Sequence, residues 1–167
     1  MLHTLISVSE YLTNIYHPDK DYVDGQLEVR NMGEREHGEL QLRIAILLKR
    51  TRKLFPFIET RLRISEARSR VPDICAYDRK PNESVFTMPP LLCVEILSPE
   101  DRMARIRRVV DDYIALGVPM VWLLDPLEKR AYVADAASGL RDVVSGILEA
   151  AHVSLTTDEV FSEEELF

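Results

Sequence analysis

The sequence predicts an α/β fold, and three observations lead there. Two apolar runs, Val71-Pro72-Asp73-Ile74-Cys75-Ala76-Tyr77 and Leu91-Leu92-Cys93-Val94-Glu95-Ile96-Leu97, read as strands packed on both faces. After the second run Ser98-Pro99-Glu100-Asp101 announces a helix, with Ser98 as N-cap, Pro99 in the first position and acids in the first turn. A further apolar run follows at residues 119–125. Strand, helix and strand between residues 91 and 124 form a right-handed crossover, so those two strands should be parallel.

The remaining elements follow in order. Ser7-Val8-Ser9-Glu10 is a capping box and predicts a helix over residues 8–14. Tyr22-Val23, Asp24-Gly25 and Leu27-Glu28-Val29 read as a hairpin around a tight turn. Leu40, Ile44, Leu47 and Leu48 recur at helical spacing, predicting a helix over residues 35–54. Residues 57–64 alternate as one half-buried strand, and a polar loop around residues 79–90 separates the two acid-bearing strands. Met103, Ile106, Val109, Val110, Tyr113 and Ile114 form the apolar face of the next helix, which Gly117 ends. Asp125-Pro126 begins a turn, residues 130–134 return antiparallel, and residues 156–166 read as a short acidic helix.

At 167 residues, 46% hydrophobic and 29% charged, the chain fits one soluble globular domain. No apolar run approaches the roughly 20 residues needed to span a bilayer. The opening Met1-Leu2-His3-Thr4-Leu5 lacks the basic start and apolar stretch of a signal peptide. Cys75 and Cys93 lie inside the proposed strands, as reduced core residues of a cytoplasmic protein would. The net charge of −7 argues at first against a nucleic-acid partner. Its distribution softens this: residues 41–70 hold nine Lys/Arg against two Glu, a balance of +7, while residues 131–167 hold eight acids against one Arg, a balance of −7. The basic stretch is either a face that meets phosphate or an ordinary solvated helix face and exposed strand.

Asp73 and Glu95 are the most informative residues. A carboxylate in a doubly packed strand is costly unless it is paired, protonated or bound to a cation. Two such acids from adjacent strands, with the carbonyl of Ile96, could converge on one hard divalent cation such as magnesium. The ion would lower the pKa of a water and neutralise charge building on a phosphate. The competing reading pairs Asp73 with Arg70 or Arg68 and Glu95 with an arginine of the next helix. There Arg102, Arg105 and Arg108 recur every three residues as a stripe able to clamp phosphate. Arginine does not deprotonate, so none of them serves as a general base. His37 opens the long helix and could approach the acids, but reads more simply as a surface residue; Trp122 reads as core. The chain has no phosphate-cradling Gly loop, Gly-x-Ser-x-Gly elbow or Cys-x-x-Cys pair.

Taken in order, Pro72-Asp73, Glu95-Ile96-Leu97-Ser98-Pro99, Tyr113-x-x-x-Gly117-Val118-Pro119 and Trp122-Leu123-Leu124-Asp125-Pro126 resemble the Uma-two family, a bacterial branch of the PD-(D/E)XK nuclease superfamily. Glu10-Tyr11-Leu12, Tyr22-Val23-Asp24-Gly25-Gln26-Leu27-Glu28 and His37-Gly38 fit the same family's opening and first core helix, so the resemblance covers residues 7–161. It implies a restriction-endonuclease-like mixed β-sheet flanked by helices, in a single domain over residues 1–167. An N-terminal helix and hairpin (7–30) would precede a nuclease core (35–134) and a C-terminal extension (135–167). It further implies an endonuclease that hydrolyses DNA with Mg2+ (or Mn2+) held by Asp73, Glu95 and the backbone of Ile96. An acid from the first core helix would join them, Glu39 before Glu36. Arg102, Arg105 or Arg108 would steady the phosphate. Nucleases of this fold that cut both strands often work as homodimers, which makes a homodimer an expectation too.

One departure stands out. The superfamily's usual Lys, two residues after the second acid, is Leu97 here. Its common alternative place on the following helix is Val109, and an acid expected one turn earlier is Arg105. Arg108 neighbours that place and could replace the Lys electrostatically but not in proton transfer. The resemblance is therefore also compatible with a catalytically impaired relative that binds nucleic acid or a partner protein.

Overall fold

Side chains of the central strands alternate between two cores, and this sets the layering. A computed structural model describes residues 5–31 and 33–166; the opening residues 1–4, with His3 and most of the stretch read for a signal peptide, lie outside it. The elements in chain order are α1 (Val8–Thr13), β1 (Lys20–Val23), β2 (Gln26–Val29), α2 (Arg35–Arg50), β3 (Phe55–Ile58), β4 (Leu62–Ser65), β5 (Arg68–Arg70), β6 (Ile74–Tyr77), β7 (Leu92–Ile96), α3 (Met103–Leu116), β8 (Val121–Asp125), β9 (Arg130–Asp135), β10 (Gly139–Asp142), β11 (Ile147–Ala150), β12 (Val153–Thr156) and α4 (Thr157–Phe161).

The main sheet runs β10-β9-β8-β7-β6-β3. Within it β7 and β8 are parallel across the α3 crossover, and every other pair is antiparallel. This is the mixed sheet with flanking helices that the sequence implied. A second sheet, β2-β1-β5-β4, and the hairpin β11-β12 complete the fold. Ile74, Ala76, Leu92, Val94, Ile96, Trp122 and Leu124 pack with α2 on one face of the main sheet. Cys75, Tyr77, Cys93, Val121 and Leu123 pack with α3 on the other. Glu95 shares the parity of Cys93, so period-two geometry aims it at the α3 side, while Asp73 stands just ahead of β6.

Several boundaries differ from the sequence reading. α2 stops at Arg50 rather than at residue 54, because the Thr51 hydroxyl donates to the Leu48 carbonyl and Arg52 turns left-handed at φ +57°. The single strand expected over 57–64 is two. Glu59, at φ +46°, breaks it, so that β3 joins the main sheet and β4 the smaller one. Arg61, just past the break, is held by Asp19 and by the carbonyls of Tyr11 and Asn14. α3 begins at Met103, not at Ser98. The Asp101 carboxylate accepts from the Ser98 N–H at 2.8 Å, closing a separate turn that competes with helix. Met103, expected on the apolar face, is 43% exposed. Residues 68–70 and the β10, β11 and β12 strands were not anticipated, and α4 ends at Phe161. Among the described residues no helix is long and apolar enough to cross a membrane.

Candidate active site

Asp73 stands one residue before β6, with Pro72 ahead of it. Continuing the β6–β7 register from Ile74↔Val94 sets Pro72 opposite Ile96. Proline has no N–H, so the ladder offers no donor to the Ile96 carbonyl there. The Ile96 N–H turns to the Asp73 side chain instead, donating to Oδ2 at 2.7 Å. His37 Nε2 donates to the same oxygen across 3.2 Å, and Gln41 Nε2 donates to the Asp73 carbonyl at 3.0 Å. The other carboxylate oxygen, Oδ1, takes Arg30 Nη2 at 2.8 Å. Burial alone would lower the His37 pKa, but the adjoining Asp73 carboxylate outweighs it and raises it. Arg30 behaves alike: burial opposes its charge, and Asp73 and then Glu95 more than restore it.

Glu95, on β7, is buried beneath α3. The Tyr113 hydroxyl donates to its Oε1 at 2.5 Å. Burial first, and the nearby Asp73 carboxylate second, push its pKa up to about 8; Tyr113 and Arg30 offset only part. Asp73, Glu95 and Ile96 line one cavity of about 20 Å³, together with Asp21, Arg30, His37, Asp101, Arg105 and Val109. That is room for one water-sized occupant.

Behind this cavity lies a buried ion network. Arg70, from β5, bonds Asp21 at 3.0 Å, Glu28 at 2.9 Å and Asp112 at 2.7 Å, and Arg68 joins it at Asp112. Arg105 reaches Asp21 at 3.1 Å. The network fastens the smaller sheet to α3. Burial raises the pKa of Asp21 even against its two arginines.

Each residue singled out from the sequence has a definite place. Asp73, Glu95, Ile96 and Arg105 meet at the cavity. Arg108, on α3, and Arg102, at its N-cap, are exposed and do not line it. Glu39 is 64% exposed, pairs with Arg35 and lines, with Glu36, a separate groove between α2 and the C-terminal segment. The α2 side chain that reaches the Asp73 carboxylate is His37, while Gln41 reaches its backbone carbonyl. His37 carried a readable signal, since position 37 continues the stripe of Leu40, Ile44, Leu47 and Leu48. Neither pairing proposed for the acids is the one formed: Asp73 pairs with Arg30, Arg68 and Arg70 pair elsewhere, and Glu95 meets Tyr113. Much of the basic stretch is likewise engaged internally. Arg43 donates to the Glu159 and Glu164 carbonyls, Arg50 to that of Leu166 and Lys53 to that of His152.

Among the described residues no three His, Cys, Asp or Glu side chains form a ready metal cluster. The donor set is two carboxylates and a carbonyl that lacks a ladder donor. Magnesium is commonly held by one or two carboxylates plus waters and phosphate oxygens, so donor type and cavity size both fit a hard cation. Arg30 already holds one oxygen of Asp73.

A mixed sheet that brings Glu95 of its β7-α3-β8 crossover and Asp73, just ahead of β6, to one cavity defines a restriction-endonuclease-like fold. The comparisons narrow it. Residues 10–157 match the Uma2 family model, described as "putative restriction endonuclease", and the chain belongs to that family. A crystal structure of "a putative nuclease belonging to DUF820" from Anabaena variabilis shares the fold, with a TM-score of 0.78 at 23% identity over 94% of this chain and 98% of that one. No curated protein matches the chain.

Proposed function

We propose that this protein is a metal-dependent endonuclease that hydrolyses DNA phosphodiester bonds, its domain spanning the whole chain. The convergence of Asp73, Glu95 and Ile96 on one ion-sized cavity carries the reading. Asp73, Glu95 and the carbonyl of Ile96 would hold Mg2+ or Mn2+. When bound, the ion polarises the phosphate and eases ionisation of water. Tyr113 fixes the orientation of Glu95 through its 2.5 Å hydrogen bond. Arg105, 22% exposed at the cavity wall, steadies a phosphate oxygen, and exposed Arg102, at the start of α3, and Arg108, further along it, meet the DNA backbone. The buried free thiols of Cys75 and Cys93 suit a cytoplasmic setting, and cutting of both strands would call for a homodimer. The test is relaxation of supercoiled plasmid with Mg2+ or Mn2+. Cleavage by the wild type that disappears in Asp73→Ala is expected; no cleavage by the wild type with either metal overturns the reading.

A second reading, a catalytically impaired relative that binds nucleic acid, is favoured by one observation. Apolar Val109 lines the cavity where a Lys would stand. A gel-shift series against salt separates the two readings. Retention of duplex DNA that falls steeply with salt, without any cutting, supports the second.

A further inference from the structure

Arg30 was not among the residues the sequence singled out. It follows β2 directly, so it belongs to the hairpin of the smaller sheet, yet its guanidinium lines the cavity beneath the main sheet. Its side chain is 14% exposed and that of Asp73 5%, so the pair is largely dry. The two oxygens of Asp73 are used differently. Oδ2 is tied to the fold by the Ile96 N–H and by His37. Among the described residues, Oδ1 has Arg30 as its hydrogen-bond partner. An ion placed between Asp73 and Glu95 must therefore take the oxygen that Arg30 holds. A guanidinium and a divalent ion at one oxygen repel each other, and in a cavity of about 20 Å³ they compete for it.

We propose that Arg30 is a placeholder cation. It neutralises Asp73 while no metal is bound, gives up Oδ1 when a divalent ion arrives, and then turns its fork to a phosphate oxygen of the substrate. This rests on the metal reading above and adds a residue to it. Two features support the exchange. The guanidinium is planar and bidentate, so the geometry that suits a carboxylate also suits a phosphate. The residue sits at the end of a strand, next to the segment leading into α2, where a side-chain swing does not require the sheet to move. Asp73 is thus kept paired in the absence of metal, which avoids an isolated buried charge.

The placeholder role predicts competition. Removing Arg30 should strengthen metal binding even as it weakens the hold on DNA. Isothermal calorimetry with Mn2+ alone reads the first effect on four proteins: wild type, Arg30→Gln, Arg105→Gln and Asp73→Asn. Arg30→Gln should bind Mn2+ on the order of tenfold tighter than wild type, the scale of one competing charge-assisted hydrogen bond removed. Arg105→Gln, which removes the same charge from the same cavity wall, should change it far less. Arg30→Gln should also bind a short duplex more weakly than wild type when Ca2+ replaces the catalytic ion. Unchanged or weaker Mn2+ binding in Arg30→Gln, or an equal gain in Arg105→Gln, overturns the placeholder. If Arg30→Gln does not fold, Arg30→Lys carries the test, because a point charge without the fork should loosen the competition in the same direction. Asp73→Asn keeps the two claims apart. If it binds Mn2+ like the wild type, the metal reading itself fails. If it abolishes binding while Arg30→Gln equals wild type, only the placeholder fails.

Discussion

The Tyr113 hydroxyl donates a hydrogen bond to Glu95 Oε1 at 2.5 Å, in a pocket closed to solvent from the α3 side. The same helix that packs the sheet thereby orients the acid that the sheet buries. Tyr113→Phe keeps the ring and removes the donor, leaving the Glu95 oxygen without its partner. Loss of a buried hydrogen bond with one partner left behind costs about 1–3 kcal/mol. Urea unfolding of the variant should show that loss with an unchanged m-value, and a variant as stable as wild type would count against the bond.

Stability should fall as pH rises, and the direction follows from three groups. Glu95 holds its proton to about 8 in the folded protein against an ordinary 4.5. Its neutral form therefore contributes fully below 4.5, and that contribution is lost as pH climbs through 8. His37, raised above 6.5 by Asp73, contributes fully below 6.5 and loses its share above its raised value. Asp21, raised by burial, acts in the same sense. Each proton held more tightly by the folded state tilts stability by at most about 1.4 kcal/mol per pH unit. Thermal unfolding without divalent ions should thus show Tm decreasing between about pH 5 and 8, with a flatter slope in Glu95→Gln. A wild-type Tm that climbs over that window, or an unaltered slope in Glu95→Gln, contradicts the assignment.

Gly33 makes room for His37. A Cβ at that position would lie 2.5 Å from the imidazole Cγ and Nδ1, closer than atoms can approach. Gly33→Ala should therefore push the ring off Asp73 and destabilise the fold by about 1–3 kcal/mol, as overpacking does. The double variant Gly33→Ala/His37→Ala removes the clash along with the ring. Its unfolding free energy should be clearly better than the sum of the two single losses; strict additivity would mean the two residues do not meet.

These residues show what a sequence can and cannot carry. The parallel pair β7–β8, the αL stop at Gly117 and the burial of Trp122 were legible because each follows from local pattern: apolar runs, a glycine after a helical stripe, a crossover of one hand. The facing of Asp73 and Glu95 was legible for the same reason, since two acids stood out against apolar neighbours. Arg30, Asp21 and Arg70 were not. Each is a charged residue in or next to a short strand, like many that face water; packing of the smaller sheet against α3 buries Asp21 and Arg70, and Asp73 draws Arg30 in. The start of α3 was misplaced because Ser98 and Pro99 are good helix openers, yet Asp101 satisfies Ser98 in a turn of its own. A tertiary role for His37 was available from its place on the α2 stripe, but one histidine among leucines does not say which acid it will meet.

Arg70 should be the most sensitive residue outside the cavity. It is 1% exposed and joined to Asp21, Glu28 and Asp112 from three separate elements. Arg70→Ala leaves carboxylates facing one another without their shared cation. Breaking a buried pair by removing one partner costs about 3–5 kcal/mol. Chemical denaturation should show a loss of that size, and a far smaller one for Arg130→Ala, whose pair with Asp142 is exposed.

Val109 offers the most direct probe of the chemistry. It lines the cavity on α3, beside Glu95 and Arg105, and is almost fully buried. Lysine there would place an ammonium among Asp21, Asp73 and Glu95, so its charge would be paired rather than stranded. The ammonium favours the ionised form of Glu95, which a metal needs, and adds a group able to stabilise charge developing on a phosphate. Burial of a longer, charged chain in a site of about 20 Å³ should lower Tm. If the cavity is a nuclease site held back by an apolar wall, Val109→Lys should raise Mn2+-dependent plasmid cleavage by roughly tenfold or more, within what a positioned acid–base or charged group contributes. Val109→Leu, equally apolar, should leave the rate where it was. A folded Val109→Lys protein that cuts no faster than wild type would mean that the missing lysine does not limit this site.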